Sequence, residues 1–158
     1  MTKELVLYFS KSGNTERIAK LIGENTGADL YEIKEREEYT KEDLNWHDPE
    51  SRVTKEMGDL DAHPEVKELP ENIKDYDKIY LGFPIWWYSV PKVVLSFLEN
   101  YDLTGNDLVV FGTSSMSDLG EAMFAIEKAI DYKTEVKGGH IFDGRTDEKE
   151  IKEWLKDL

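Results

Sequence analysis

A chain of 158 residues has the size of one compact domain with a real hydrophobic core, and two domains would be cramped. It contains no cysteine, which excludes disulfides, thiolate metal sites and a cysteine nucleophile; redox chemistry would have to rest on a bound cofactor, and a reducing compartment, the cytoplasm, is expected. With 34 acidic against 20 basic side chains the net charge is −14, which opposes binding to nucleic acid or an anionic membrane and favours basic partners.

No apolar run approaches the roughly 20 residues of a membrane span. The opening Met1-Thr-Lys-Glu-Leu-Val-Leu-Tyr-Phe9 moves directly into a folded-looking segment, so a soluble protein that is not exported is expected. Short apolar runs then alternate with stretches of helical period, the pattern of a parallel sheet covered by helices on both faces. Leu5 to Phe9 reads as a first strand buried on both sides. Ile18, Ala19, Leu21 and Ile22 follow as one face of a helix stopped at Gly27. Leu30 to Ile33 is more polar, as suits an edge strand. Lys34 to Asn72 is dense in charge, with Tyr39, Leu44, Trp46, Val53 and Met57 scattered through it, and a short helix among long loops is expected there.

Lys78 to Phe83 is a second strand of the buried kind, followed by Val94, Phe97, Leu98 and Tyr101 at helical spacing with Pro91 suited to the first turn. Leu108 to Phe111 is a third. Leu119, Ala122, Met123, Ile126 and Ile130 repeat the helical pattern behind Asp118-Leu-Gly-Glu121, an acidic start with a glutamate three residues on. Thr134 to Gly138 reads as the other edge strand, and Ile151, Trp154, Leu155 and Leu158 as the last helix. The expected architecture is a single α/β domain over 1–158, a doubly wound five-stranded parallel sheet of strand order 2-1-3-4-5 with helices on both faces.

In such a sheet a ligand sits beyond the carboxyl ends of the strands where the strand order reverses, so the loops after Phe9, Phe83 and Gly112 matter most. Ser10, Lys11, Ser12, Gly13, Asn14 and Thr15 run straight into the first helix. Unpaired backbone N–H groups at a helix start, extra hydroxyl donors and a glycine for close approach make a phosphate cradle, although an ordinary cap with a turn glycine uses the same residues. No Gly-Lys-Ser/Thr follows, and the Gly-x-Gly-x-x-Gly pattern of dinucleotide sites is absent. After Phe83 come Pro84, Ile85, Trp86, Trp87 and Tyr88. Successive side chains diverge, so these aromatics cannot all be core; a flat apolar ligand would explain them, as would one tryptophan inside and one on the surface.

Ser10-Lys-Ser-Gly-Asn-Thr15 resembles the FMN-phosphate loop of the flavodoxin family, Thr/Ser-x-Thr/Ser-Gly-x-Thr, and Gly82-Phe-Pro-Ile-Trp-Trp-Tyr-Ser-Val-Pro91 is similar to the ring-binding loop of flavodoxin-like proteins and flavin-dependent quinone reductases. The resemblance covers nearly the whole chain. It implies FMN as the cofactor, held by the two loops above and by Thr113, Ser114, Ser115, Met116, Ser117 and Gly120 of a third loop, where many relatives carry more glycine. It also implies a ring loop whose peptide can turn over at a glycine. Pro84 to Ser89 has none, and positive φ costs a bulky residue roughly 1–2 kcal/mol.

Three functions are compatible with FMN: an electron carrier docking on basic-surfaced reductases and acceptors, the reading favoured by the short acidic chain; a flavin-dependent NAD(P)H:quinone reductase; or a flavin-binding regulatory module without turnover. A response-regulator receiver would need acidic residues where Ser10-Lys11 and Pro84-Ile85 stand, and a low-molecular-weight tyrosine phosphatase needs a cysteine. Ser89-Val-Pro-Lys92 matches Ser-x-x-Lys without its companion motifs. His47, His63 and His140 lack metal-ligand spacing and are expected at the surface or in loops.

Overall fold

The computed structural model describes residues 3–69, 71–103, 105–115, 117–130 and 134–158. Five parallel strands, β1 (Glu4–Tyr8), β2 (Asp29–Glu32), β3 (Lys78–Pro84), β4 (Asp107–Thr113) and β5 (Val136–Phe142), form one sheet in the order β2-β1-β3-β4-β5. Between and after them lie the helices α1 (Asn14–Thr26), α2 (Arg52–Gly58), α3 (Lys92–Asn100), α4 (Gly120–Ala129) and α5 (Glu148–Lys156), with a 3-10 turn at Glu71–Asp75. The expected doubly wound α/β architecture and strand order are what the chain adopts. None of these helices is long and apolar enough to cross a membrane.

Strand side chains alternate faces, and here both faces are apolar. Leu5, Leu7, Phe9, Leu81 and Val110 join a core closed by Val94 and Phe97 of α3 and Ala122 and Ile126 of α4. Val6, Tyr8, Tyr80 and Phe111 point the other way, against Ile18, Ala19 and Ile22 of α1 and Ile151 and Trp154 of α5. Arg17 staples α1 to the loop before α5 by donating to the carbonyls of Thr146 at 2.9 Å and Asp143 at 3.1 Å.

Three local expectations need correction. The last strand starts at Val136 and continues past Gly138 through Gly139, His140, Ile141 and Phe142. Its two glycines let α4 and the C-terminus come close: a Cβ on Gly139 would stand 3.0 Å from Leu119, and one on Gly138 3.0 Å from Leu158. His140 therefore lies in a strand, half-buried, its ring centroid 4.5 Å from that of Phe142. His47 and His63 are exposed. The capping box before α4 does not form either. Asp118 accepts from Gly120 N only two residues on, at 3.0 Å, and Leu119 is the cap position without a side-chain bond. Pro91 likewise sits just before α3, as its cap, rather than inside the first turn.

Gly82 shows how tightly β3 is held. A Cβ there would fall 2.0 Å from Cζ of Phe111 on β4, and that ring is fully buried. Gly82→Ala is expected to destabilise the fold by about 3 kcal/mol through overpacking, lowering the melting temperature by roughly 6–12 °C at this chain length. Thermal unfolding followed by circular dichroism checks this.

Candidate functional site

The carboxyl ends of β1 and β3 lie side by side, with Phe9 N donating to the Gly82 carbonyl at 2.9 Å beyond the regular pairing. The helices that follow them leave to opposite faces, α1 to one and α3 to the other. A crevice opens between the two strand ends. It holds a cavity of about 490 Å³, lined by Lys11 and Ser12 of the first loop, Pro84, Ile85, Trp86, Trp87 and Tyr88 of the second, and Leu44, Trp46 and Val53.

The first loop turns through Gly13 at φ +94, where a side chain would be strained although a Cβ would meet nothing within 4 Å. The glycine is thus required by conformation and not by crowding. Gly13 is the cap residue of α1 and offers no side chain, so the cap position itself makes no side-chain bond. Ser10 Oγ accepts from Glu16 N at 3.2 Å. The backbone N–H groups of residues 11 to 15 have no acceptor among the described residues, and they collect at the positive end of the α1 dipole. Ser12 and Asn14 are exposed beside them. Thr15 is not: its hydroxyl is buried and shares a 2.7 Å hydrogen bond with that of Thr113 at the end of β4. The Lys11 ammonium pairs with Glu35.

The second loop is a tight turn in which Trp86 N donates to the Ser89 carbonyl at 3.1 Å and Ser89 N to that of Trp86 at 2.9 Å. Its two central residues, Trp87 at φ 49 and Tyr88 at φ 64, occupy the left-handed region. Positive φ at both positions is the type I′ geometry that Asn-Gly ordinarily fills. The loop that lacks a glycine therefore adopts positive φ all the same, at two bulky aromatics. Strain of this kind concentrates at functional sites. Trp86 is half-buried, edge-on to Phe9 at 5.6 Å and Tyr39 at 6.1 Å, whereas Trp87 is 42 % and Tyr88 69 % exposed. One tryptophan thus packs on the core and the other faces outward, and both border the cavity.

The third loop is set apart. Thr113 is buried and its carbonyl accepts from Ile85 N at 3.0 Å; Ser114 N donates to the Phe142 carbonyl, and Ser117 N to Ser114 Oγ. Ser115 and Gly120 are exposed. None of these residues lines the cavity, and Met116 lies outside the described residues. The crossover between β2 and β3 takes that place with Leu44, Trp46 and Val53, which were visible in the sequence only as isolated apolar residues in a charged stretch. Trp46 is 63 % exposed and stacks on His47 with centroids 3.7 Å apart.

Tyr39 ties this wall to the core. It packs on Phe9 and Trp86, its hydroxyl donates to Glu56 of α2, and Arg52 lies 4.0 Å over its ring. Burial, then the bond to Glu56, push its phenol far above the ordinary range. Among the described residues no cluster of side chains is arranged to hold a metal.

A family model described as flavodoxin matches residues 3–158. The chain belongs to the flavodoxin family. Flavodoxin 1 of Salmonella typhimurium is 25 % identical over 120 residues, 73 % of this chain and 52 % of that protein; the chain thus spans about half the length of the curated relatives it matches. A Bacteroides eggerthii protein provisionally named a flavoprotein is 38 % identical over 100 % of this chain and 98 % of its own, with a TM-score of 0.92. A Lactobacillus acidophilus flavoprotein solved in complex with FMN shares the fold at 22 % identity, 98 % and 99 % coverage and a TM-score of 0.75.

Two outcomes follow from this family member's site. Replacing Trp87-Tyr88 by Asn-Gly is expected to stabilise the ligand-free protein by about 1–3 kcal/mol, because positive φ then carries no penalty, while flavin affinity falls; chemical denaturation and flavin titration measure the two. Stability contributed by the Tyr39 hydroxyl is complete below its unfolded value near pH 10 and is lost as pH rises toward its higher folded value. Tyr39→Phe should be less stable at neutral pH and lose less on going above pH 10, as unfolding at a series of pH values would reveal.

Proposed function

We propose that this chain binds one FMN noncovalently and carries electrons between protein partners in the cytoplasm. The observation that carries this reading is the juxtaposition of a helix start with uncommitted amides, suited to a terminal phosphate, and an aromatic cavity suited to a flat ring. The residues fit the group on donor chemistry alone. The amides of residues 11 to 15, with Ser12 and Asn14, would hold the phosphate, and Trp46, Trp86, Trp87 and Tyr88 would enclose the ring. Bound FMN would supply the redox chemistry, and the protein its orientation and electrostatics. The FMN complex of the Lactobacillus acidophilus protein, on the same fold, supports the choice of cofactor.

Residues 35 to 65 carry eleven acidic and four basic side chains, half of the chain's net charge of −14. This segment supplies the cavity wall at Leu44, Trp46 and Val53. A negative field beside the ring site suits basic-surfaced reductases and acceptors, whose approach it would steer. One observation favours the reductase alternative: Trp46, Trp87 and Tyr88 are all well exposed at the cavity, so a planar acceptor could stack there. Rapid NADH- or NADPH-dependent quinone turnover by the purified protein would replace the carrier with the reductase.

A phosphate held by several charge-assisted hydrogen bonds, each worth roughly 1.5–3 kcal/mol, makes FMN bind orders of magnitude more tightly than riboflavin. Calorimetry should show this difference, and equal affinities would remove the phosphate site. Ser12→Asp should repel the phosphate and abolish flavin retention with unchanged thermal stability of the apoprotein, because Ser12 is exposed and makes no hydrogen bond among the described residues.

A further inference from the structure

Among the described residues Lys11 is the only charged side chain lining the aromatic cavity. An ammonium beside a helix start is ordinarily a phosphate ligand. Here Nζ is bonded instead to Oε1 of Glu35, whose side chain is 1 % exposed. The same ammonium lies 5.6 Å from the ring centroid of Phe9 and 5.9 Å from that of Tyr39, so it is also held by aromatic faces. Glu35 Oε1 further accepts from Tyr39 N at 3.2 Å. Its second oxygen, Oε2, is buried with no hydrogen-bond partner among the described residues. A carboxylate in this state retains its one cation strongly, because releasing Lys11 would leave a buried charge unpaired.

Lys11 and Glu35 also border a second, smaller cavity of about 270 Å³ with Glu32, Lys34, Glu38 and Lys67. Lys11 thus stands between two spaces, and Glu35 lines only the smaller. The carboxylate fixes the side to which the ammonium is turned.

We propose that Glu35 is a positioning residue that withholds the Lys11 charge from the phosphate loop, so that the loop recognises phosphate through amides and hydroxyls and the ion pair adds no net charge at the cavity. This rests on the FMN reading. Glu35→Gln then strengthens phosphate recognition by freeing the cation, and Lys11→Met weakens it by leaving a lone carboxylate near the site. A purely structural pair would make both changes act in the same direction.

The test is titration of FMN and riboflavin into the apoprotein of wild type, Glu35→Gln, Lys11→Met and the double variant. The ratio of FMN to riboflavin affinity should rise about tenfold in Glu35→Gln, fall about tenfold in Lys11→Met and return toward wild type in the double variant. The midpoint potential of the bound flavin should rise in Glu35→Gln, since net positive charge favours electron uptake. A ratio that is unchanged or lower in Glu35→Gln overturns the proposal. Should Glu35→Gln not fold, the double variant must still show a higher ratio than Lys11→Met, and equality of the two overturns it. If wild type itself binds FMN and riboflavin equally, the phosphate site is wrong and the role of Glu35 falls with it; a wild-type preference with unresponsive variants rejects Glu35 alone.

Discussion

The placement of β1 beside β3, with α1 and α3 leaving to opposite faces, is the constraint on which the rest of the molecule depends. Parallel strands require crossovers, and a right-handed crossover places its helix on one face or the other according to which neighbour the chain moves to next. From β1 the chain goes outward to β2 and then returns across the sheet to β3, so the helices on either side of this reversal cannot close over the strand ends. The crevice is therefore a product of topology before any ligand chemistry is considered. The sheet keeps it rigid, since β1 and β3 are buried on both faces and Gly82 allows the Phe111 ring to press against the β3 backbone.

What fills the two ends of the crevice differs in kind. At the end proposed for the phosphate the chain supplies backbone: Gly13 lies in the left-handed region before the helix, and the N–H groups of residues 11 to 15 have no acceptor among the described residues. At the end proposed for the ring it supplies side chains, from a turn whose geometry suits Asn-Gly but which carries Trp87 and Tyr88. A less strained sequence would satisfy the backbone and remove the aromatics from the cavity wall. The conflict between local preference and observed conformation is therefore informative about function.

The two-sided strands were legible because a short, continuous apolar run bounded by turn residues fits little besides a strand buried on both faces, and the helices because their apolar stripes recur at 3.6-residue spacing. Polar edge strands are weaker signals. For β5, the expected strand stopped at Gly138, while in the sheet Gly138 and Gly139 continue the strand and make room for Leu158 and Leu119. The loop after β1 stood out as a candidate phosphate cradle from residue types in order, but not the division of labour within it: Thr15 is turned to Thr113 and Lys11 to Glu35. Both partners are distant in sequence, and no local pattern names them. The crossover wall was hidden for the same reason. Leu44, Trp46 and Val53 stand two and seven residues apart, so no single period runs through all three, and Tyr39, Arg52 and Glu56 fasten that segment to the core.

A net charge of −14 is at first sight a poor start for binding a phosphate. Distance and screening resolve this. At physiological ionic strength exposed charges are felt over only about 8 Å, so the surface total matters less than the groups within a few ångströms of the ligand. At the start of α1 those are amide dipoles and the neutral side chains of Ser12 and Asn14, with the Lys11 ammonium matched by buried Glu35 and the first-turn Glu16 matched by Lys20. The acidic excess is concentrated in the crossover, half of it in residues 35 to 65, beside the ring end. The segment that opposes anions thus borders the part of the site where a planar uncharged ring would lie, and the helix start retains its local positive potential. On the proposed reading, charge separation along a single crevice would let one strongly acidic chain hold an anion at one end and present a negative field to its surroundings at the other.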